Sequence, residues 1–225
     1  MALPLCEVRV FSRRHRYAGT LDVLGCWQGA GALIDYKTGD PDDVATDLQT
    51  AAYDVALLEM RDSGDTLDAL TFDPLTHRYA LEGEPLPAVT RVLQRAGLVD
   101  FSSIPTSILL AARDRGNAVH QAVHYFNEDA LDVDDFQRTF PDYWPYVSAW
   151  ITFRRESGFV LATRDQLPAL THIKRYAVRL LKTGRYRVEP YTNPRDFREF
   201  LALLQAQQIV ARRRPQAAAD LAEVA

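Results

Sequence analysis

Residues 17–37 read YAGTLDVLGCWQGAGALIDYK, and this stretch decides the fold. Its apolar residues alternate with polar ones or run together between turn residues. This pattern predicts two strands, Tyr17 to Trp27 and Ala32 to Lys37, joined at a glycine-rich turn. The preceding EVRVFS, Glu7 to Ser12, predicts another strand. We expect the three strands to form an antiparallel meander.

Helices and further hairpins are predicted along the rest of the chain. Apolar side chains recur at helical spacing from Asp43 to about Met60, which indicates an amphipathic helix packed on the sheet. Further helices are expected at Pro87 to Gly97, Thr106 to Phe126, Val133 to Glu156 with a break near Pro141 and Pro145, and Pro194 to about Arg213; short hairpins are expected at Leu70 to Leu81 and Ile173 to Tyr191. The sequence thus predicts an α/β (α+β) protein with a mixed central β-sheet flanked by helices.

The length and composition favour one domain. The 225 residues are 47% hydrophobic, enough to bury one substantial core. We expect a single domain over 1–214, consisting of 1–66 with the meander and its helix, a largely helical part at 67–165, and a basic hairpin with a helix at 166–214. Residues 215–225 are expected to be a disordered tail or a frayed helix. No membrane span or signal peptide is visible, which favours a soluble cytoplasmic protein.

The charge is unevenly distributed. A net charge of -4 argues against a nucleic-acid binder, but residues 171–214 hold eleven Lys or Arg against three Asp or Glu. From Asp40 to Asp68 there are nine acidic residues and one basic residue. A chain polarised in this way can carry a phosphate-facing surface despite its negative total, although both stretches could also be solvated faces.

Three charged side chains fall on the predicted meander. Asp35 and Lys37 are two residues apart on one strand and so project from the same face, and Asp22 can lie beside Asp35 across the hairpin. Two carboxylates this close repel each other unless a cation neutralises them, and Mg²⁺ or Mn²⁺ prefers such oxygen ligands. The trio therefore predicts a metal site suited to phosphodiester hydrolysis, with the lysine orienting water or offsetting developing charge.

The strings Tyr17-Ala-Gly-Thr-Leu-Asp22 and Leu33-Ile-Asp35-Tyr-Lys37-Thr-Gly39 resemble the core of the PD-(D/E)xK nuclease superfamily, in particular its RecB-like and phage-exonuclease branches. This resemblance implies a restriction-endonuclease-like fold. It implies catalytic roles for Asp22, Asp35 and Lys37, and metal ligation by both aspartates and the Tyr36 carbonyl.

Other residues match the same family. Gln49 and Tyr53, four residues apart, resemble the glutamine and tyrosine that line the site and touch DNA in RecB-like members. Arg115-Gly-Asn-Ala-Val-His120 resembles the helix that supplies a histidine metal ligand. Glu7 matches an acidic residue near the metals, and we place it with the catalytic residues.

The order of the segments departs from the family. In the relatives that this chain resembles, the histidine helix precedes the strands with the acidic residues, whereas His120 follows them. The segment from about Leu70 to Val160 resembles the family's N-terminal part placed after the core motif. Such an order can preserve the fold if the junctions near Asp62 to Asp68 and near Leu161 to Leu170 lie on the surface with their ends close together.

The predicted C-terminal hairpin is rich in basic and aromatic residues. A mixture of this kind suits phosphates and stacked bases, so we expect the hairpin to flank DNA; the alternative is a charged edge that discourages strand pairing. The basic residues are Lys174, Arg175, Arg179, Lys182, Arg185 and Arg187, and the tyrosines are Tyr176, Tyr186 and Tyr191.

The first functional hypothesis is a Mg²⁺- or Mn²⁺-dependent DNA nuclease, in particular an exonuclease serving recombination or repair or derived from a phage, as the resemblance implies. A catalytically silent nucleic-acid-binding or assembly module with the same fold is the alternative. A small-molecule phosphodiesterase is disfavoured by the basic, tyrosine-bearing hairpin. The oligomeric state is open.

Overall fold

The structure is a computed structural model that describes residues 4–39, 43–66, 69–102, 104–170 and 172–223. Its strands are β1 (Cys6–Ser12), β2 (Tyr17–Trp27), β3 (Ala30–Lys37), β4 (Leu70–Asp73), β5 (Arg78–Leu81), β6 (Glu84–Leu86), β7 (Val160–Leu161), β8 (Lys174–Leu180) and β9 (Tyr186–Tyr191). Its α-helices are α1 (Asp43–Ser63), α2 (Val89–Arg95), α3 (Thr106–Asn127), α4 (Val133–Thr139), α5 (Trp144–Ser157) and α6 (Asp196–Glu223), and a 3-10 helix covers Arg164–Ala169.

The main sheet has the strand order β1-β2-β3-β8-β9, with β7 paired to one end of β2. The β1-β2, β2-β3 and β8-β9 pairs are antiparallel, whereas β3 and β8 run parallel. β4, β5 and β6 form a small separate sheet. The predicted meander and the C-terminal hairpin are therefore confirmed, and the parallel β3-β8 pair joins them into one mixed sheet.

Helices cover both faces of the main sheet. On one face, α1 packs against β1 and α6, and Leu33 of β3 belongs to the same apolar cluster as Leu48 of α1 and Phe200 of α6. On the other face, Ile34 packs in a cluster with Trp150 of α5 and residues of α3. Adjacent residues of β3 thus project from opposite faces of the sheet and pack in different apolar clusters, as expected from the two-residue repeat of a strand. The predicted fold class, a mixed sheet flanked by helices, is confirmed.

Several details differ from the sequence-based expectation. The short strands β6 and β7 are absent from the prediction because two or three residues give no measurable periodicity, and the 3-10 helix is absent from it as well. Pro145 lies in the first turn of α5, where it disturbs no hydrogen bond, so only the Pro141 region breaks the helix. Of the two alternatives for residues 215–225, a disordered tail or a frayed helix, the helical one agrees with the backbone, which is helical as far as Glu223. Alanine, common in this stretch, has the highest helix propensity; residues 224–225 lie outside the described residues.

The two junctions that flank the segment from about Leu70 to Val160 lie close together at the surface. Arg61, near the end of α1, donates from Nη1 to the carbonyl oxygen of Leu170 at 2.8 Å. Asp62 is exposed, as are Arg164 and Asp165 near the other junction. The ends are thus close in space, as the prediction requires. None of the described helices is both long and apolar enough to cross a bilayer.

A buried arginine fastens α1 and α6 to the sheet. Arg175 of β8 is 9% exposed, and its Nη2 lies 2.7 Å from Oδ2 of Asp196 in the first turn of α6. Its guanidinium also donates to the carbonyl oxygens of Asp47, at 2.9 Å, and Asn193, at 3.2 Å. The prediction that Arg175 binds DNA is therefore wrong, because its donors are used inside the protein.

We expect Arg175→Ala to lower the free energy of unfolding by about 3–5 kcal/mol, because it leaves the Asp196 carboxylate buried without its partner. Adding Asp196→Ala should recover part of the loss. The neighbouring exposed Lys174→Ala is the matched control and should change stability by less than about 0.5 kcal/mol. Urea unfolding followed by circular dichroism measures all three, and a loss below about 1 kcal/mol for Arg175→Ala would contradict the assignment.

Candidate metal centre

The candidate site lies where β2 and β3 separate. Their pairing runs from Trp27–Ala30 to Val23–Ile34, and at the next position Oδ2 of Asp22 accepts a hydrogen bond from the backbone N–H of Tyr36 at 2.8 Å. Beyond this point β2 stays paired with β1 and β3 stays paired with β8. A carboxylate thus replaces a strand-to-strand hydrogen bond, and a gap opens with Asp22 and Asp35 at its base.

One side of the gap is built by β3 and α1. Nζ of Lys37 lies 2.8 Å from Oδ2 of Asp35. Nε2 of Gln49 lies 3.2 Å from Oδ1 of Asp35 and 3.2 Å from the Tyr53 hydroxyl oxygen. Gln49 and Tyr53 are one helical turn apart on the face of α1 that covers the sheet. Lys37 thus contacts one oxygen of the Asp35 carboxylate and Gln49 contacts the other.

The other side of the gap is built by β1 and α3. Nδ1 of His120 lies 3.7 Å from Oδ1 of Asp22 and 3.5 Å from Oε1 of Glu7. The Tyr36 hydroxyl donates to the same Glu7 oxygen at 3.4 Å, and its ring centroid lies 4.3 Å from that of His120. His120 therefore lies beside Asp22, where the sequence-based prediction places it.

Glu7 reaches the site through an unusual backbone. Its φ of 51° falls in the left-handed region although Glu7 is the second residue of β1, where it lies between the Cys6–Val23 and Val8–Leu21 pairs. For a residue with a side chain this conformation costs roughly 1–2 kcal/mol. The rest of β1 and β2 maintains the conformation, and Glu7 lies within reach of His120.

The carboxylates and the bases of the site shift one another's pKa values. Burial, together with the charges of Asp35 and Glu7, raises the pKa of Asp22 from 3.8 to about 7, although His120 partly offsets the rise. Burial lowers the pKa of His120, but the carboxylates of Asp22 and Glu7 outweigh it and the net shift is upward. The pKa of Lys37 is likewise raised, because the Asp35 and Asp22 charges outweigh its burial. The centre therefore carries an excess of negative charge.

The donors present fit a divalent cation. One carboxylate oxygen each from Glu7 and Asp22 and a ring nitrogen of His120 lie within 4.8 Å of one another. Two hard oxygens with one imidazole suit Mn²⁺ and accommodate Mg²⁺. Asp35, expected as a direct ligand, lies outside this group. Its Oδ1 accepts a hydrogen bond from Gln49, whereas its buried Oδ2 lies beside Lys37 without a hydrogen-bond partner among the described residues, and its ligation of a metal stays a prediction. Ligation by the Tyr36 carbonyl stays a prediction.

An open groove borders this centre, and the sequence-based interpretation missed its other walls. The groove has a volume of about 570 Å³ and is lined by Glu7, by one face of α3 and by His77 from the turn after β4. The face of α3 carries Arg113, Asn117, His120 and His124. Their spacing of three or four residues is a polar helical stripe, which is the signal that could have identified them.

The residues predicted to bind nucleic acid differ in their exposure. Lys174, Lys182, Arg185 and Arg187 are exposed. Tyr53, expected to touch DNA, is only 3% exposed, and its hydroxyl oxygen accepts a hydrogen bond from Nε2 of Gln49.

Two of the three tyrosines of the hairpin, Tyr176 and Tyr191, are buried, and Tyr186 is partly exposed. Tyr176 packs on Trp27 with 4.7 Å between ring centroids, and Tyr186 packs on Phe153 at 5.3 Å. Tyr176 and Tyr191 therefore cannot stack on bases, contrary to the expectation, whereas stacking by the partly exposed Tyr186 stays a prediction.

A row of basic side chains leads away from the site across the sheet. Lys37 of β3 pairs in register with Arg179 of β8, and Arg179 pairs with Arg187 of β9. Cross-strand partners project from the same face, so the three cations share the α1 face of the sheet. The row begins at the ion pair of Lys37 with Asp35.

No protein-family model, curated protein or solved structure matches the chain.

We expect the metal-free protein to lose stability as the pH rises. The pKa of Asp22 is higher in the folded state than in the unfolded state, so the folded state binds more protons than the unfolded state between about pH 4 and pH 7. The stability that this proton binding contributes is complete below about pH 4 and is lost as the pH rises to about 7. Thermal unfolding in EDTA at pH 6 and pH 8 measures the loss of stability, which should be smaller in Asp22→Asn.

Mn²⁺ at 100 times its Kd should stabilise the wild type by about 2.7 kcal/mol at pH 8, with a smaller effect at the same concentration at pH 6.

The matched control is Asp54→Asn. Burial raises the pKa of Asp54 to about 6, but this carboxylate lies on α1 outside the group formed by Glu7, Asp22 and His120. The control should keep the full response to Mn²⁺. An undiminished response in Asp22→Asn would exclude Asp22 as a ligand.

Proposed function

We propose that the protein is a divalent-metal-dependent DNA nuclease of the PD-(D/E)xK type. The single observation that carries the proposal is the convergence of Glu7, Asp22 and His120, from three separate elements, beside the Asp35–Lys37 ion pair in the gap between β2 and β3. Buried carboxylates in such numbers require a compensating cation, and a lysine next to them supplies a second positive charge for a phosphate.

Glu7, Asp22 and His120 are the residues that would hold the ion. A bound Mg²⁺ or Mn²⁺ supplies a Lewis acid for a phosphoryl oxygen and makes water a better nucleophile at neutral pH. Tyr36 fixes the direction of two of the ligands, because its N–H donates to Asp22 and its hydroxyl donates to Glu7. This arrangement keeps the lone pairs of both carboxylates directed toward one point.

Lys37 acts as a cation and a hydrogen-bond donor. Its raised pKa keeps the ammonium protonated at neutral pH, so it cannot accept a proton from water. It can instead orient the attacking water or a phosphate oxygen and offset the negative charge that develops in the transition state. Asp35 positions Lys37 at 2.8 Å, and Gln49 in turn orients Asp35.

The substrate in this proposal is DNA. The groove beside His120 gives access to the centre, and the row of Lys37, Arg179 and Arg187 offers positive charge along the sheet on its other side. Phosphate contacts of this kind are independent of sequence. An exonucleolytic mode, which the resemblance implies, belongs to the same proposal.

The test is cleavage of end-labelled linear and covalently closed circular DNA, single- and double-stranded, with Mg²⁺, Mn²⁺ or EDTA. We expect metal-dependent degradation of linear DNA, and a fall in rate of about 10²–10³-fold in Asp35→Asn and in Lys37→Met, because each removes a charge from the transition state. The control Asp54→Asn should cleave at the wild-type rate.

Degradation in EDTA, or full activity in Asp35→Asn, would refute the mechanism. Binding of DNA without cleavage in either metal would favour the silent binding module. Cleavage of circular DNA at the same rate as linear DNA would reject the exonucleolytic mode while leaving the metal centre intact.

A further inference from the structure

A second cleft, outside the metal centre, is lined by arginines. It has a volume of about 760 Å³ and lies between β5, β6, α2 and α6. None of its described lining residues is acidic. Five arginines from four parts of the chain line it: Arg16, Arg78, Arg91, Arg95 and Arg212.

Carboxylates of the described residues do not neutralise these five arginines. All five are exposed, and within the described residues none forms an ion pair with a carboxylate. Arg13, by contrast, pairs with both Asp65 and Glu82 at 2.9 Å. Arg78 faces Asp73 across the β4-β5 pair, but the Asp73 side chain is already hydrogen-bonded to its own turn. Clustered like charges attract a polyanion.

The walls of the cleft are fixed in position. Nε2 of Gln207 on α6 donates to the carbonyl oxygen of Val92 on α2 at 2.8 Å, and Gln208 donates to the carbonyl oxygen of His15 at 3.2 Å. Apolar residues, including Pro87 of the β6-α2 connection, complete the lining. Arginines over an apolar floor suit a ligand that combines phosphates with less polar sugars and bases.

The cleft adjoins the metal centre. His77 lines both this cleft and the groove that contains Glu7 and His120. Tyr79, another wall of the cleft, has its hydroxyl 2.8 Å from Oγ1 of Thr20, two residues before Asp22 on β2. A chain-like anion leaving the metal centre past His77 would therefore enter the arginine cleft.

We propose that this cleft binds the sugar-phosphate backbone of a polynucleotide strand, next to the phosphodiester that lies at the metal centre. The arginines are distributed over the β1-β2 turn, β5, α2 and α6, so they match several successive phosphates better than one isolated ion. The binding of a polynucleotide rests on the cleft alone, whereas its continuity with a cleaved phosphodiester rests on the proposed function.

The test uses the full chain in EDTA, where cleavage cannot occur, and a short fluorescent single-stranded oligonucleotide. Arg91→Ala/Arg95→Ala, on the exposed face of α2, should bind at least about tenfold more weakly, and the slope of log K against log salt should become shallower by about 1.4, as expected for two lost phosphate contacts. Arg91→Lys/Arg95→Lys should restore most of the slope because it keeps both charges. The control Arg138→Ala/Arg155→Ala removes two exposed arginines that do not line the cleft, and it should bind like the wild type.

Two results would overturn the assignment. One is an unchanged affinity and salt slope in the folded Arg91→Ala/Arg95→Ala variant, as judged by its thermal unfolding. The other is displacement of the oligonucleotide by inorganic phosphate at an equal concentration of phosphate groups, which would assign the cleft to a small anion.

The same variants separate this inference from the nuclease proposal. If the wild type cleaves DNA and the cleft variant cleaves with unchanged KM, the cleft assignment alone fails. If the wild type cleaves nothing but oligonucleotide binding depends on Arg91 and Arg95, the nuclease proposal alone fails.

Discussion

The burial of the Asp22 carboxylate between β2 and β3 is the constraint on which the rest of the structure depends. A charge in this position needs partners from every direction, and the fold supplies them from separate elements. The Tyr36 amide comes from the neighbouring strand and the His120 ring from α3, while α1 and β3 satisfy the adjacent Asp35 through Gln49 and Lys37. β2 and β3 therefore separate at Asp22, and α1 and α3 pack in positions that allow Gln49 and His120 to make these contacts.

The sequence was sufficient to predict the strands and helices that show a clear periodic pattern over many consecutive residues. Strands β1 to β3 show clear alternation, and the pair of residues at positions 35 and 37 shares a face for the same reason, so the centre of the site could be placed before any coordinates. His120 could be placed only through the resemblance. The 3.7 Å between His120 and Asp22 depends on α3 packing beneath a sheet that is formed by distant segments.

The features that the sequence did not predict depend on tertiary packing and leave no pattern in the local sequence. Arg175 and Lys174 look equivalent in the sequence, yet alternation turns one toward the buried first turn of α6 and leaves the other exposed. The same alternation turns Tyr176 into the α5 core. The arginine cleft escapes prediction because its members, from Arg16 to Arg212, meet only after the sheet, α2 and α6 have packed.

The parallel pairing of β3 with β8 also governs the order in which the molecule can assemble. Ala32 pairs with Lys174, so the centre of the sheet closes a very long loop, and closure of this kind is entropically costly and slow. During synthesis the meander and α1 emerge early, but β3 keeps an open edge until the C-terminal hairpin leaves the ribosome. The acidic pocket is therefore completed late, and a nascent chain carries the carboxylates of the candidate metal centre well before it has the framework that brings them together.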